Sequence, residues 1–254
     1  MIKLSVAIIT FNEERNISRC LESISGIADE IIVADSGSTD STVTICKNFD
    51  VKVVHHPFKG HIEQKNFALS QCTNDYVFSI DADEALSPEL KKSILFIKEN
   101  WISEGYSFNR LTNYCGKWIK HCGWYPDEKL RLFKKNAGEW AGTNPHDQFI
   151  LHAGCKSARI QGDLLHYSYY SIKEHLDQVN RFTEIGSQSA FFQGKRSNLV
   201  LILVKPIVRF IRDYIFHLGF LDGYYGFVIC KISSHATFIK YVKLYELSKK
   251  NKGR

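Results

Sequence analysis

Four short runs rich in β-branched and other apolar residues, KLSVAIIT, EIIVADS, VKVVHH and DYVFSIDAD, punctuate the first hundred residues, and each is followed by a stretch with helical spacing. EERNISRCLESI spaces Ile17, Leu21 and Ile24 along one helical face. STDSTVTICKNF predicts a helix with Ser38 or Thr39 as N-cap, and IEQKNFALSQC a third. SPELKKSILFIKEN predicts a fourth, with Ser87 as N-cap and Pro88 in its first turn. Strand and helix alternating in series constrain the fold strongly. Parallel strands need crossovers, and the crossing helices must cover the sheet. The expected fold class is α/β: a Rossmann-like, mostly parallel sheet with helices on both faces.

In such sheets ligands bind beyond the carboxyl ends of the strands. The segments there are TFNEE, DSGSTD, HPFKGH and DADE, the most polar of this half. FSIDADE sets Asp81, Asp83 and Glu84 within four residues at the end of an apolar run. Like charges so close are costly unless a cation or a proton answers them. On extended backbone Asp81 and Asp83 point to the same side, and such oxygen ligands suit Mg²⁺ or Mn²⁺, which complete their shell with substrate phosphates and water. The competing reading is an acidic N-cap cluster for the helix from Pro88, which suits Glu84 well. Asp35 can accept from a nucleobase N–H or a ribose hydroxyl, or simply close a turn at Gly37. Glu13 lies by the same strand end. Lys65 is placed to face a diphosphate, or else is a solvated lysine. His55 and His56 are expected to cap a strand end.

Beyond Asn100 the alternation fades. GYSFNRLTNY and KLRLFKK read as strands, HCGWYPD and WAGTNPHDQF as loops, and ARIQGDLLHYSY as a strand leading into a helix over 171–192. Charge is uneven: residues 199–254 carry ten Lys/Arg against three Asp/Glu, whereas the preceding 198 carry 23 against 24. The tail opens with NLVLILVKPIVRFIRDYIF, in which Lys205, Arg209 and Arg212 share one helical face and Ile207, Val208, Phe210, Ile211 and Tyr214 cover much of the rest. No window of about 20 residues is free of charge, so a spanning helix is not expected. The pattern is that of an amphipathic helix lying on a bilayer, or of a helix packed on the body with its cations outward. The expected organisation is a body over 1–198, divided near residue 100, and a basic amphipathic tail over 199–254. Seven scattered cysteines without a C-x-x-C pair argue against zinc and favour a reducing compartment. The N-terminal apolar stretch is too short for a signal peptide. The neutral body has no basic stripe interleaved with aromatics, so no nucleic-acid partner is expected.

LSVAIITFNEERNISRCLESI, DEIIVADSGSTDST, QKNFAL and YVFSIDADEAL, in that order, resemble the nucleotide-sugar half of glycosyltransferase family 2, which has the GT-A fold. GWYPDEKLRLFKK, HDQF, LLHYSYYS and GFLDGYYG resemble one branch, the bacterial lipopolysaccharide core β-glucosyltransferases and their relatives. The resemblance implies a UDP-sugar donor, a Mg²⁺ or Mn²⁺ cofactor and inversion at the anomeric carbon. The acceptor would be a lipid-linked glycan at the cytoplasmic surface of the inner membrane. It implies that Asp35 meets the uracil, with Thr10, Phe11 and Glu13 nearby. Asp81 and Asp83 match the DxD motif, Asp83 as metal ligand and Asp81 nearer the ribose. Lys65 and Arg131 would face the diphosphate, and His166 the metal or a phosphate. Where the branch has a His-Glu pair this chain has His146 and Asp147, and Asp147 is the candidate base. Trp118, Trp124 and Tyr125 are candidates to stack on the acceptor, with core packing the alternative for each. Two other functions fit parts of the pattern. A sugar-1-phosphate nucleotidyltransferase would share the sheet and the metal-binding carboxylates, but TFNEERN lacks the glycines of its phosphate loop. A non-catalytic membrane-surface adaptor would account for the tail but not for the carboxylates.

Overall fold

The computed structural model describes residues 1–143 and 146–250, which cluster into two compact units. Of these, the first comprises 1–111, 127–143 and 146–167, the second 112–126 and 168–250.

The first unit is built on a sheet whose first four strands are parallel: β1 (Leu4–Thr10), β2 (Glu30–Asp35), β3 (Lys52–His55) and β4 (Tyr76–Asp81), in spatial order β3-β2-β1-β4. β1 is buried along almost its whole length, as LSVAIIT demands of a strand covered on both faces. The crossovers are α1 (Ile17–Ile24), α2 (Thr42–Cys46) and α3 (His61–Gln71). α1 buries Ile17, Cys20, Leu21 and Ile24, one apolar stripe against the sheet. β5 (Glu84–Leu86) leads into α4 (Pro88–Glu99), whose N-cap is Ser87 as expected: its hydroxyl accepts from the Leu90 N–H at 3.1 Å. The sheet then continues antiparallel. β8 (Glu128–Lys134) pairs with β4 and with β6 (Gly105–Tyr114), and β11 (Ser157–Tyr169) pairs with β5.

WAGTNPHDQF is not a loop, as its composition suggested. Apart from Asn144 and Pro145, which lie outside the described residues, it belongs to the antiparallel pair β9 (Gly138–Thr143) and β10 (His146–Leu151). Trp140 and Phe149 face each other in that register, and Phe149 stacks on Phe133 with ring centres 3.5 Å apart. One inward aromatic from each strand, Trp140 and Phe149, fastens this ribbon to the sheet.

The second unit holds β7 (Lys117–Ile119), which pairs with Thr112–Tyr114, and three helices: α5 (Ile172–Phe192), α6 (Leu199–Ile211) and α7 (Gly223–Lys250). α5 starts where the sequence placed it, capped by Ser171. A π-helical turn over Arg212–Phe216 and a 3-10 turn over Gly219–Asp222 join α6 to α7. GFLDGYYG lies at this junction because a side chain would not fit: a Cβ on Gly226 would fall 1.9 Å from the Gly219 carbonyl oxygen. Asp222, nearly buried, accepts from the His121 N–H at 2.8 Å and lies 3.1 Å from its Nδ1. Among the described residues no helix is long and apolar enough to cross a membrane.

Gly162 of β11 shows how closely strand and helix approach in the first unit. Its φ is +97°, and an added Cβ would lie 2.2 Å from the Leu90 backbone nitrogen. Gly162→Ala is therefore expected to lower unfolding stability by at least about 2 kcal/mol in denaturant melts. A neutral effect would contradict this packing.

Candidate functional site

Register brings the polar strand ends together. Thr10 lies beside Asp35, Asp35 beside His55, and Ile9 beside Asp81, so β1 to β4 present their carboxyl ends along one edge of the sheet.

Asp35 is buried and holds its own turn. Its carboxylate accepts from the Gly37 N–H at 2.9 Å, the Ser38 N–H at 3.1 Å and the Ser38 hydroxyl at 2.5 Å. Ser38 is thereby diverted from capping α2, which starts later than expected, behind Ser41. Gly37 has φ +92°, which permits the turn. Phe11 is 56% exposed, an aromatic face left in water close in sequence to this strand end, and the buried Thr10 Oγ1 has no hydrogen-bond partner among the described residues. The His55 Nδ1 lies 4.0 Å from Asp35. His56 instead stacks on Phe67 and lies 2.8 Å from Gln64 Oε1, a packing role.

The two aspartates of the FSIDADE run diverge. Extended backbone ends at Asp81, a turn takes Ala82 and Asp83, and β5 starts at Glu84. The same-side geometry expected from the i, i+2 spacing is lost at that turn. Asp81 is held between Lys65 Nζ at 3.1 Å and Arg131 Nη2 at 3.1 Å. Lys65, only 2% exposed, also donates to Asp147 Oδ2 at 2.7 Å, so it is not a solvated lysine. The indole of Trp140 packs against both cations, 4.6 Å from Lys65 Nζ and 5.0 Å from the Arg131 guanidinium carbon. Burial alone would push the Asp81 carboxyl up, but Lys65 and then Arg131 hold it well below the usual carboxylate range.

Glu84 does not cap α4. It is buried, accepts from the Asp81 N–H at 3.0 Å, and lies 3.5 Å from Arg110 and 3.9 Å from Arg131. Arg110 in turn pairs with Asp127 at 2.9 Å. Sequence reasoning missed Glu84, Arg110 and Trp140 as part of this layer. Glu84 carried a plausible capping role, and Arg110 and Trp140 stand in strands far along the chain with no local motif.

Asp83 faces a different partner. Its Oδ2 is 3.1 Å from His166 Nε2, and its carbonyl accepts from the Tyr167 N–H at 2.9 Å. The β5–β11 register places His166 opposite Glu84. The guanidinium of Arg19 stacks 3.7 Å over the Tyr167 ring. Glu13 lies near enough to feel this pair. Burial first and the Asp83 charge second lift its carboxyl to about 7, against a hydrogen bond from Asn16.

Asp83 and His166 supply an oxygen and a nitrogen donor, and among the described residues no group of three or more His, Cys, Asp or Glu is arranged to hold a metal. Two protein ligands suit a divalent ion that takes the rest of its shell from phosphate oxygens and water, so the donor set fits Mn²⁺ or Mg²⁺ with substrate present and not a closed structural site.

The sequence placed Thr10, Phe11, Glu13, Asp35, Lys65, Asp81, Asp83, Arg131, Asp147 and His166 in one site, and all ten stand in the first unit. The His146 side chain lies outside the described residues. Trp118, Trp124 and Tyr125 belong to the second unit. There Trp124 packs edge-on against Tyr114 and His175, both with ring centres 5.9 Å away, and Trp118 stands opposite Asn113 in a strand pair.

The model of the family described as Glycosyl transferase family 2 matches residues 5–147. The chain belongs to glycosyltransferase family 2. It is an enzyme of that kind, and the sheet is its GT-A fold. An uncharacterised glycosyltransferase of Rickettsia typhi is 33% identical over 99% of this chain and 90% of its own. The lipopolysaccharide core biosynthesis glycosyltransferase LpsC of Rhizobium meliloti is 27% identical over 96% and 93%. A solved glucosyl-3-phosphoglycerate synthase of Mycobacterium tuberculosis, with Mn²⁺ and UDP-glucose bound, is 26% identical over 44% of each chain, with a TM-score of 0.37.

The Glu13 environment predicts a pH dependence. A carboxyl raised from 4.5 to about 7 favours the folded state below its unfolded value, and that contribution is lost as pH rises through about 7. In chelator, wild-type stability relative to Glu13→Gln should fall by on the order of 2 kcal/mol between pH 5 and 8 in urea melts. Parallel pH profiles would contradict it.

Proposed function

We propose that this glycosyltransferase moves a hexose, glucose first among the candidates, from a UDP-sugar to a lipid-linked glycan such as lipopolysaccharide core. The reaction would proceed with inversion, at the cytoplasmic surface of the inner membrane. The observation that carries the donor half is the pairing of two arrangements at the strand ends: the Asp83–His166 pair at 3.1 Å, and the Lys65–Arg131 layer held by Asp81 and Glu84. The likeness to LpsC supports the acceptor class.

In this reading Asp35 and Phe11 receive the uracil, and Thr10 Oγ1 finds a partner in the nucleoside. Asp83 and His166 would hold the divalent ion, which supplies Lewis-acid charge to the departing diphosphate. Lys65 and Arg131 add fixed positive charge on the same oxygens, already desolvated and in place. Transfer breaks the bond from the anomeric carbon to the diphosphate oxygen and forms one to the acceptor oxygen, through an oxocarbenium-like state. The acceptor hydroxyl proton passes to Asp147. One displacement inverts the centre, so an α-linked donor yields a β-linked product.

Asp147 accepts from Lys65 Nζ at 2.7 Å, so one of its oxygens is occupied in the absence of donor. A diphosphate arriving at Lys65 competes for that ammonium and releases the carboxylate, so the base is unmasked when donor is bound. Asp147→Asn should lower kcat by about 10²–10⁴-fold, with UDP affinity within about threefold of wild type. Equal loss of turnover and of UDP binding would remove Asp147 from the role of base. Hydrolysis across a panel of UDP-sugars identifies the donor, and UDP-glucose is expected to turn over fastest.

A further inference from the structure

α6 is turned inside out. A helix packed on a globular unit normally sends its apolar stripe inward and its polar side to water. Here Leu199, Leu203, Ile207 and Ile211 form one i, i+4 row and Val200, Val204 and Val208 the next, and all seven are exposed. The side facing the unit is the narrower one. It offers Ile202, buried, and Pro206, whose carbonyl accepts from the Ser234 hydroxyl of α7 at 2.8 Å. At the border between the two sides Arg209, half-buried, pairs with the buried Asp213. Phe210 and Tyr214, which the sequence grouped with Ile207, Val208 and Ile211 away from the cationic face, part from them: they stack on each other and pack against the aromatic core of the second unit.

The exposed hydrocarbon does not stop at the end of α6. The π-helical turn adds Phe216 at 74% exposure, the 3-10 turn adds Phe220 and Leu221, and the first turns of α7 add Tyr224 at 68% and Phe227. A monomeric soluble surface rarely leaves so many large apolar side chains in one stretch of chain. Lys205, Arg209 and Arg212, at i, i+4 and i+7, line one edge of the stripe, and Asp213 fixes the two arginines there.

We propose that this elbow, from Leu199 to Phe227, is a lipid-docking surface that inserts its apolar row among the acyl chains of an anionic bilayer. Lys205, Arg209 and Arg212 meet the phosphate headgroups. Hydrocarbon with a cationic edge is complementary to a negatively charged membrane. A second copy of the chain is the weaker occupant, because a symmetric interface would bring the same cationic edges together. The acceptor assignment above gives the surface a purpose, but the docking itself stands on these exposures alone.

The test is co-sedimentation of the full chain with vesicles of phosphatidylglycerol and phosphatidylethanolamine, against vesicles of phosphatidylcholine. Wild type should bind the anionic vesicles and be released by salt. Phe216→Glu with Leu221→Glu should reduce binding at least about tenfold, and Lys205→Ala about fivefold on anionic vesicles only. Circular dichroism and UDP binding, unchanged in both variants, show that the fold and the donor site are intact. Loss of UDP binding in wild type would sink the donor assignment and leave the docking result standing. Equal binding to both vesicle types would overturn the anionic component. No binding to either, with a salt-resistant dimer that Phe216→Glu dissociates, would overturn the proposal in favour of self-association.

Discussion

The site depends on one half-buried carboxylate. Asp81 stands at the tip of a central parallel strand, where its backbone is fixed by pairing with β1 and its N–H is taken by Glu84. A charge in that position is tolerable only if it is answered, and Lys65 and Arg131 answer it from opposite sides of the chain order, one on a crossover helix and one on an antiparallel strand. Both cations are nearly buried, so removing their carboxylate leaves uncompensated charge, which is more costly than the pair is worth in its own right. The arrangement therefore fixes two cations at the strand ends, and under the proposed function these are the ones that meet the diphosphate.

Glu84 and Trp140 make that layer rigid. Glu84 puts a second negative charge, this one buried, behind Arg131 and Arg110, and Trp140 gives both Lys65 and Arg131 an aromatic wall. Asp83 is free for other work because Asp81 is not. The turn at Ala82 and Asp83 separates the two carboxylates of the motif into an electrostatic anchor and a group paired with His166. A motif that looks like a single ligand pair in one dimension thus serves two purposes in three.

Much of this could be read from the residues. The parallel half was legible because each strand is an apolar run and each crossover has helical spacing, and topology alone then gathers TFNEE, DSGSTD and DADE at one edge. The strand-end position of Asp81 was legible for the same reason, whereas Lys65 read equally well as a solvated lysine, because its burial depends on Asp147 and Trp140 far along the chain. Arg110 and Trp140 were not legible, since their roles arise from strand pairs that close across the sheet and leave no local pattern. The hairpin carrying Asp147 read as a loop because Gly, Thr, Asn and Pro outweigh its alternating aromatics. On α6 the cationic face was visible, but which apolar residues face water was not: that depends on α7 and the aromatic core, which take Phe210 and Tyr214 inward.

The central claim is that the strand-end carboxylates, through Asp83 and His166, hold a divalent ion that anchors a nucleotide diphosphate. Calorimetric titration of UDP in Mn²⁺ and in excess chelator, on wild type and Asp83→Ala, addresses it directly. The account predicts at least about tenfold weaker binding by wild type in chelator, and Asp83→Ala weak in both. Equal affinity in Mn²⁺ and chelator, with Asp83→Ala indistinguishable from wild type, would contradict it.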